Sequence, residues 1–131
     1  MVYERAFPYA KKHFKKIKVN MGKYDGSQKC QHISRQLLEE GNADTLVVTL
    51  SFVPRSGVNV HMINRVGRKF IDNTLGYLSK ANTYYLMSEH DLEDLQSVNM
   101  SKMLTQTKEE VLKKLFTEKE IDGHGIKHEH I

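Results

Sequence analysis

The chain has 131 residues, 39% of them hydrophobic and 27% charged, with 20 Lys and Arg against 16 Asp and Glu, a net charge of +4 and one cysteine. This length suits a single domain, 1–131, that buries about two-thirds of its unfolded surface, and one cysteine excludes a disulfide scaffold within the monomer. There is no signal-peptide core, and no apolar run approaches the ~18 residues of a membrane span. The expectation is a soluble protein with a free thiol in a reducing compartment, the cytoplasm, and no membrane partner.

Over residues 1–22, Ala6, Ala10, Phe14 and Ile17 recur at helical spacing. Pro8 is expected in the first turn of this helix, where its missing N–H costs nothing. The opposite side carries Lys11, Lys12, Lys15, Lys16 and Lys18. Through Lys29 there are eight Lys or Arg against Glu4 and Asp25, an excess of six over a whole-chain charge of +4, so the remainder is slightly acidic. Such a face is either simply solvated or a docking surface for an anionic partner (nucleic acid, anionic lipid or acidic protein) at Lys11, Lys12, Lys15 and Lys16. No interleaved aromatics and no duplex-reading motif accompany the lysines.

The segment C-Q-H-I-S-R-Q-L-L-E-E-G predicts a helix over 28–40, with Ser27 as N-cap, Gly41-Asn42 as the stop, and Cys30, Ile33, Leu37 and Leu38 on one face. Cys30 falls in the first turn, where unpaired N–H groups and the positive end of the helix dipole favour thiolate over thiol. His32 lies two residues on and points away from it. Next, T-L-V-V-T-L-S-F-V over Thr45–Val53 is nearly continuously apolar, the pattern of a strand buried on both faces.

After a turn at 54–57, the stretch 58–76 reads as a β-hairpin: strands over 58–64 and 69–72 around Val66-Gly67, flanked by Arg65 and Arg68. A two-residue loop there pairs Arg65 with Arg68, Ile63 with Phe70 and His61 with Asp72. His61 and Asp72 then share a face at roughly 5 Å between Cβ atoms. A four-residue loop keeps this register, whereas an odd loop with a bulge shifts it by one and brings in Asn73 or Ile71. A carboxylate behind an imidazole fixes its tautomer and stabilises the imidazolium, a useful arrangement beside a nucleophile such as Cys30.

The order of these pieces resembles a known family. A cysteine at a helix start, a strand V-N-V-H-M-I-N, a short turn, and G-R-K-F-I-D-N-T-L-G are similar to the transglutaminase-like branch of the papain-like thiol enzymes. The resemblance covers about nineteen residues of hairpin, 58–76, plus Cys30. It implies that Cys30 is the nucleophile, His61 the base and Asp72 its orienter. No aromatic follows Cys30 as in many relatives, and Gln28 is not spaced like the oxyanion-hole glutamine of papain-type peptidases.

Farther on, T-Y-Y-L-M over 83–87 predicts one more strand, with Tyr77, Tyr84 and Tyr85 read as core before cleft, and Ser88-Glu89-His90-Asp91 as a loop or helix cap. A helix is predicted over 107–118, with Thr107 and Glu110 as its capping box and Val111, Leu112, Leu115 and Phe116 as its buried stripe. The tail 122–131 holds His124, His128 and His130, without the Cys or spaced carboxylates of a zinc site, and is expected to fray. No metal and no cofactor is expected.

The expected architecture is α+β, a papain-like or transglutaminase-like core in which the Cys30 helix packs on an antiparallel sheet. The expected function is a cysteine hydrolase, a thiol protease or amidase, or a transglutaminase-like acyltransferase acting on a peptide or amide through Cys30, His61 and Asp72. Two other readings of the same chain are a basic binding module and a stoichiometric protein-interaction or inhibitor factor.

Overall fold

The computed structural model describes residues 2–26, 29–54, 57–97, 99, 102, 103, 106, 107, 109, 110 and 113. In chain order these form α1 (Val2–His13), β1 (Lys15–Ile17), β2 (Val19–Met21), α2 (Cys30–Glu39), β3 (Thr45–Val53), β4 (Gly57–Val66), β5 (Lys69–Asp72), a 3-10 helix (Gly76–Ala81), β6 (Thr83–His90) and α3 (Leu92–Gln96). The class is α+β. One six-stranded sheet runs β1-β6-β3-β4-β5-β2, antiparallel throughout except where β2 lies parallel to β5.

The apolar run at Thr45–Val53 is a central strand paired with β4 and β6, buried along all but its last residue because both faces are covered by core clusters. β1 and β2 lie at opposite edges of the sheet, yet Lys18 alone separates them in sequence. Two peptide units span at most about 7 Å, so the sheet curls until its edges approach each other. Ile17 and Val19, one from each edge, accordingly enter one cluster with Val47, Ile63, Phe70, Tyr84 and Leu86 on the inner face. The outer face carries Leu46, Val48, Leu50, Phe52, Val58, Val60 and Met62, packed by Ala6 and Ala10 of α1, Leu38 of α2 and Leu95 of α3. Phe7, Phe52 and Tyr85 meet edge-to-face in this layer, with ring centroids 5.4–6.2 Å apart.

Several expectations are corrected. The N-terminal helix does not run over 1–22: it ends at His13, and 15–21 forms two edge strands. Backbone groups at both sheet edges need partners, and pairing β1 with β6 and β2 with β5 satisfies them better than continued helix does. Pro8 stands inside α1, not in its first turn, so one i→i−4 bond is absent. Burial of Ala6 and Ala10 holds this helix in place. Lys11, Lys12, Lys15 and Lys16 are all exposed, the first two in the last turn of α1, where cations complement the helix dipole.

The hairpin loop is Gly67-Arg68 rather than Val66-Gly67. Val66 pairs with Lys69, Arg65 with Phe70 and Asn64 with Ile71. Gly67 takes the positive φ, +61°, that this turn demands, and its N–H donates to Asp44 Oδ2 at 2.6 Å. Strand β6 runs through Ser88 and His90 as well as 83–87, and Asp91 then caps α3 by accepting from the Asp94 N–H at 2.8 Å.

Near the C-terminus, residues 102, 103, 106, 107, 109, 110 and 113 are helical. Thr107 is not an N-cap: its hydroxyl donates back to the Met103 carbonyl, while Asn99 Oδ1 accepts from the Lys102 N–H upstream. The stripe Val111, Leu112, Leu115 and Phe116 and the tail 122–131 lie outside the described residues. Among the described residues no helix is long and apolar enough to cross a membrane.

The T-L-G triplet also acquires a physical reason. Gly76 has φ +52°, and a Cβ there would sit 2.6 Å from the Tyr24 backbone nitrogen. The chain before α2 is tied to this turn by a Tyr24–Leu75 bridge and by Asp25 N–H donating to Thr74 O at 2.7 Å. Gly76→Ala should therefore destabilise the protein by about 1–3 kcal/mol through backbone strain, read as a lowered urea midpoint with an unchanged slope.

Candidate active site

Strand β5 pairs with β4 only over Asn64–Val66, so the β4 edge before Asn64 is open, and helix α2 occupies it. Ser34 Oγ donates to the Met62 carbonyl at 3.2 Å, and the Met62 backbone also bonds the Cys30 sulfur. Asn64, fully buried, donates through Nδ2 to Ser34 O at 2.9 Å and Thr45 O at 3.2 Å, locking α2 to β3 and β4. Ser34 lies one helical turn after Cys30, so these bonds fix the height of the thiol along the strand.

Cys30 is the first residue of α2. The N-cap is Lys29, which makes no side-chain bond; Ser27 and Gln28 lie outside the described residues. Ser34 and Leu38 are buried, with Cys30, Ile33 and Leu37 half-buried, and Gly41 at φ +75° ends the helix. Its N–H donates to Leu38 O and that of Asn42 to Leu37 O, closing a Schellman motif. His32 is exposed.

His61 projects from β4 to the inner face and bonds Asp72, with Nε2 2.9 Å from Oδ2. The corrected register makes the two residues diagonal neighbours, not directly opposed. The partner of each β4 residue moves two positions along β5, so the shared face survives, and the diagonal lies within reach of an imidazole and a carboxylate. Since Nε2 faces Asp72, Nδ1 is left for the hydrogen bond between His61 and Cys30. The structure thus brings Cys30, His61 and Asp72 together.

Asp72 is completely buried and its four partners account for it. Oδ1 accepts the Thr74 and Leu75 N–H groups, each at 2.9 Å, and Oδ2 accepts from Tyr84 Oη at 2.7 Å as well as facing His61. Sequence reasoning placed Tyr84 in the core and missed this role. Its register opposite Ile17 in β1, which points it to the inner face, follows only from the sheet order. Asn64 was missed too, although an asparagine within an otherwise apolar strand is a signal of a buried polar clamp.

Burial alone would push the Cys30 thiol up and the His61 imidazolium down. For His61 the Asp72 bond, then the Cys30 bond and charge, outweigh it; for Cys30 the His61 bond and charge and the Met62 backbone do. Cys30 is held below the ordinary thiol range and His61 is raised to about 9. Burial likewise opposes Asp72 ionisation, but the His61 bond and charge, the Leu75 N–H and Tyr84 hold it below the usual carboxylate range. Burial and the Asp72 charge keep the Tyr84 phenol protonated, so it donates. The arrangement favours a thiolate and an imidazolium backed by a carboxylate over the neutral thiol and imidazole. Among the described residues no group of three His, Cys, Asp or Glu side chains converges as metal ligands would.

Asp72→Ala should cost about 3–5 kcal/mol, because it strands buried donors and an uncompensated imidazolium; chemical denaturation measures it. In Cys30→Ser, which leaves His61 coupled to Asp72, the folded state holds the His61 proton more tightly than the unfolded chain, where the value is near 6.5. That stabilisation is complete below pH 6.5 and is lost as pH rises through the folded value, so unfolding free energy should fall with pH above 6.5. The slope should vanish in the further variant His61→Gln. No family model, curated protein or solved structure matches this chain.

Proposed function

We propose that this protein is a cysteine-nucleophile acyl-transfer enzyme acting on a peptide or amide bond, with a papain-like arrangement of thiol helix and sheet. The observation that supports this most is His61 bonded to Asp72 at 2.9 Å with Cys30 interacting with the same ring. The Cys30 thiolate attacks the carbonyl carbon, and the tetrahedral oxyanion is met by backbone N–H groups near Cys30 at the start of α2. His61, already protonated, delivers its proton to the leaving nitrogen as the C–N bond breaks, leaving a thioester and a neutral imidazole. Neutral His61 then takes a proton from water, whose oxygen attacks the thioester. The acid departs and the thiolate–imidazolium pair returns. Asp72 holds the ring by Nε2 throughout while Thr74, Leu75 and Tyr84 hold Asp72.

Hydrolysis is the favoured outcome on the resemblance of the hairpin and Cys30 to papain-like thiol enzymes. The thiol helix and His61 meet at the sheet edge, which suits a segment of a protein substrate.

The experiment is acylation by p-nitrophenyl acetate, followed by intact mass and by nitrophenol release. The expected result is an acetyl group on Cys30 that forms readily at pH 6–7 and then turns over. Cys30→Ala should abolish the adduct, and His61→Ala should slow acylation by roughly 10²-fold or more. Asp72→Asn should also slow acylation, since it keeps the ring in place but removes the charge that stabilises its imidazolium. Iodoacetamide should alkylate native Cys30 at pH 6–7 faster than a thiol of ordinary pKa near ~8.5. A Cys30 unreactive until denaturant is added, or equally reactive in His61→Ala, would overturn this function.

A further inference from the structure

The curl that brings β1 and β2 together leaves a cavity of about 630 Å³ between their junction and the 3-10 helix. We propose that it binds a small, multiply charged phosphorylated ligand, at a site distinct from the thiol. Three lysines border it: Lys16 and Lys18 from the strand junction and Lys80 from the 3-10 helix. No Asp or Glu lines it, and among the described residues none of these three lysines is in an ion pair. Unpaired ammonium groups around one volume create a local positive potential that only an anion relieves, and a lysine is a point-charge phosphate binder.

The volume lies within the range of roughly 300–1,000 Å³ typical of small-molecule sites. Three cations around one compact cavity match charges concentrated on a di- or triphosphate better than the single carboxylates of a peptide, spaced at ~3.3 Å per residue along an extended chain. Ile17, Val19 and Met21 add an apolar wall for the body of such a ligand, and Met21 is 57% exposed in the absence of one. The cavity takes up only part of the basic N-terminal segment: Lys16 and Lys18 belong to the run of lysines noted in the sequence, whereas Lys11, Lys12 and Lys15 do not line it.

Neither Cys30, His61 nor Asp72 lines the cavity. Tyr84 does, and its hydroxyl bonds the side of Asp72 Oδ2 that His61 also uses. A bound ligand therefore sits behind the carboxylate and leaves the sulfur accessible.

The test titrates the full chain with ADP, pyrophosphate and a hexaglutamate peptide, by calorimetry and by amide chemical shifts. The expected result is saturable ADP binding with shifts centred on residues 16–21 and 79–84, tighter for ADP than for pyrophosphate because of the apolar wall. Lys18→Glu and Lys80→Glu should each weaken ADP about tenfold or more, equivalent to ~1.4 kcal/mol, and Lys80→Gln should weaken it less. All three should keep the wild-type circular dichroism, since the side chains are exposed. Cys30→Ala should bind ADP like the wild type, so failure of the thiol chemistry and failure of this site are seen separately. Absence of saturable binding, shifts centred on Lys11 and Lys12, insensitivity to Lys80→Glu, or hexaglutamate binding as tightly as ADP would each overturn the proposal.

Discussion

One buried carboxylate holds the inner face of this protein together. Asp72 gathers two backbone N–H groups from the turn after β5, a phenol from β6 and an imidazole from β4. An ionised carboxylate without water is costly unless its lone pairs are met by donors and its charge by a cation, and here both conditions hold. The two oxygens divide the work. Oδ1 is fixed by the backbone, so Oδ2 has little freedom, and the ring of His61 inherits that rigidity.

The position of the thiol depends on an omission. Because β5 stops after four residues, the β4 edge alongside Met62 is left without a strand, and backbone groups there require other partners. Helix α2 supplies them through Ser34 Oγ and the Cys30 sulfur, with Asn64 as a clamp. A helix that belongs to the outer layer thereby presents its first residue to a histidine of the inner face. Extending β5 along β4 would close this opening and separate the two side chains.

Closure of the sheet at Lys18 is the second constraint, and it reaches the same residues from the other side. It brings Ile17 and Val19 into the inner cluster, turns Tyr84 toward Asp72, and leaves the lysine-lined cavity at the junction. The thiol site and the cavity are thus separated by the Tyr84–Asp72 bond, the first at the open edge of β4 and the second at the meeting of β1 and β2. Basic charge that the sequence places over 1–29 is divided by the fold between an exposed helix end and this junction.

The amino-acid sequence by itself determined what local periodicity controls. The bounds of the central strand follow from its apolar run, the end of the Cys30 helix from its glycine stop, and the common face of His61 and Asp72 from alternation along two strands. That last inference survived a misplaced loop because moving the loop by one residue shifts each partner by two positions, which conserves the face and changes only the opposed pair. Tertiary structure alone decided the diagonal His61–Asp72 contact, the pairing of 15–21 at both sheet edges, the entry of Tyr84 into the site and the docking of α2 on an open strand. These depend on the order and curl of strands far apart in the chain. A three-residue strand such as Lys15–Ile17 has too few residues to show its period, and the hydrogen bonds that hold it belong to a neighbour almost seventy residues away.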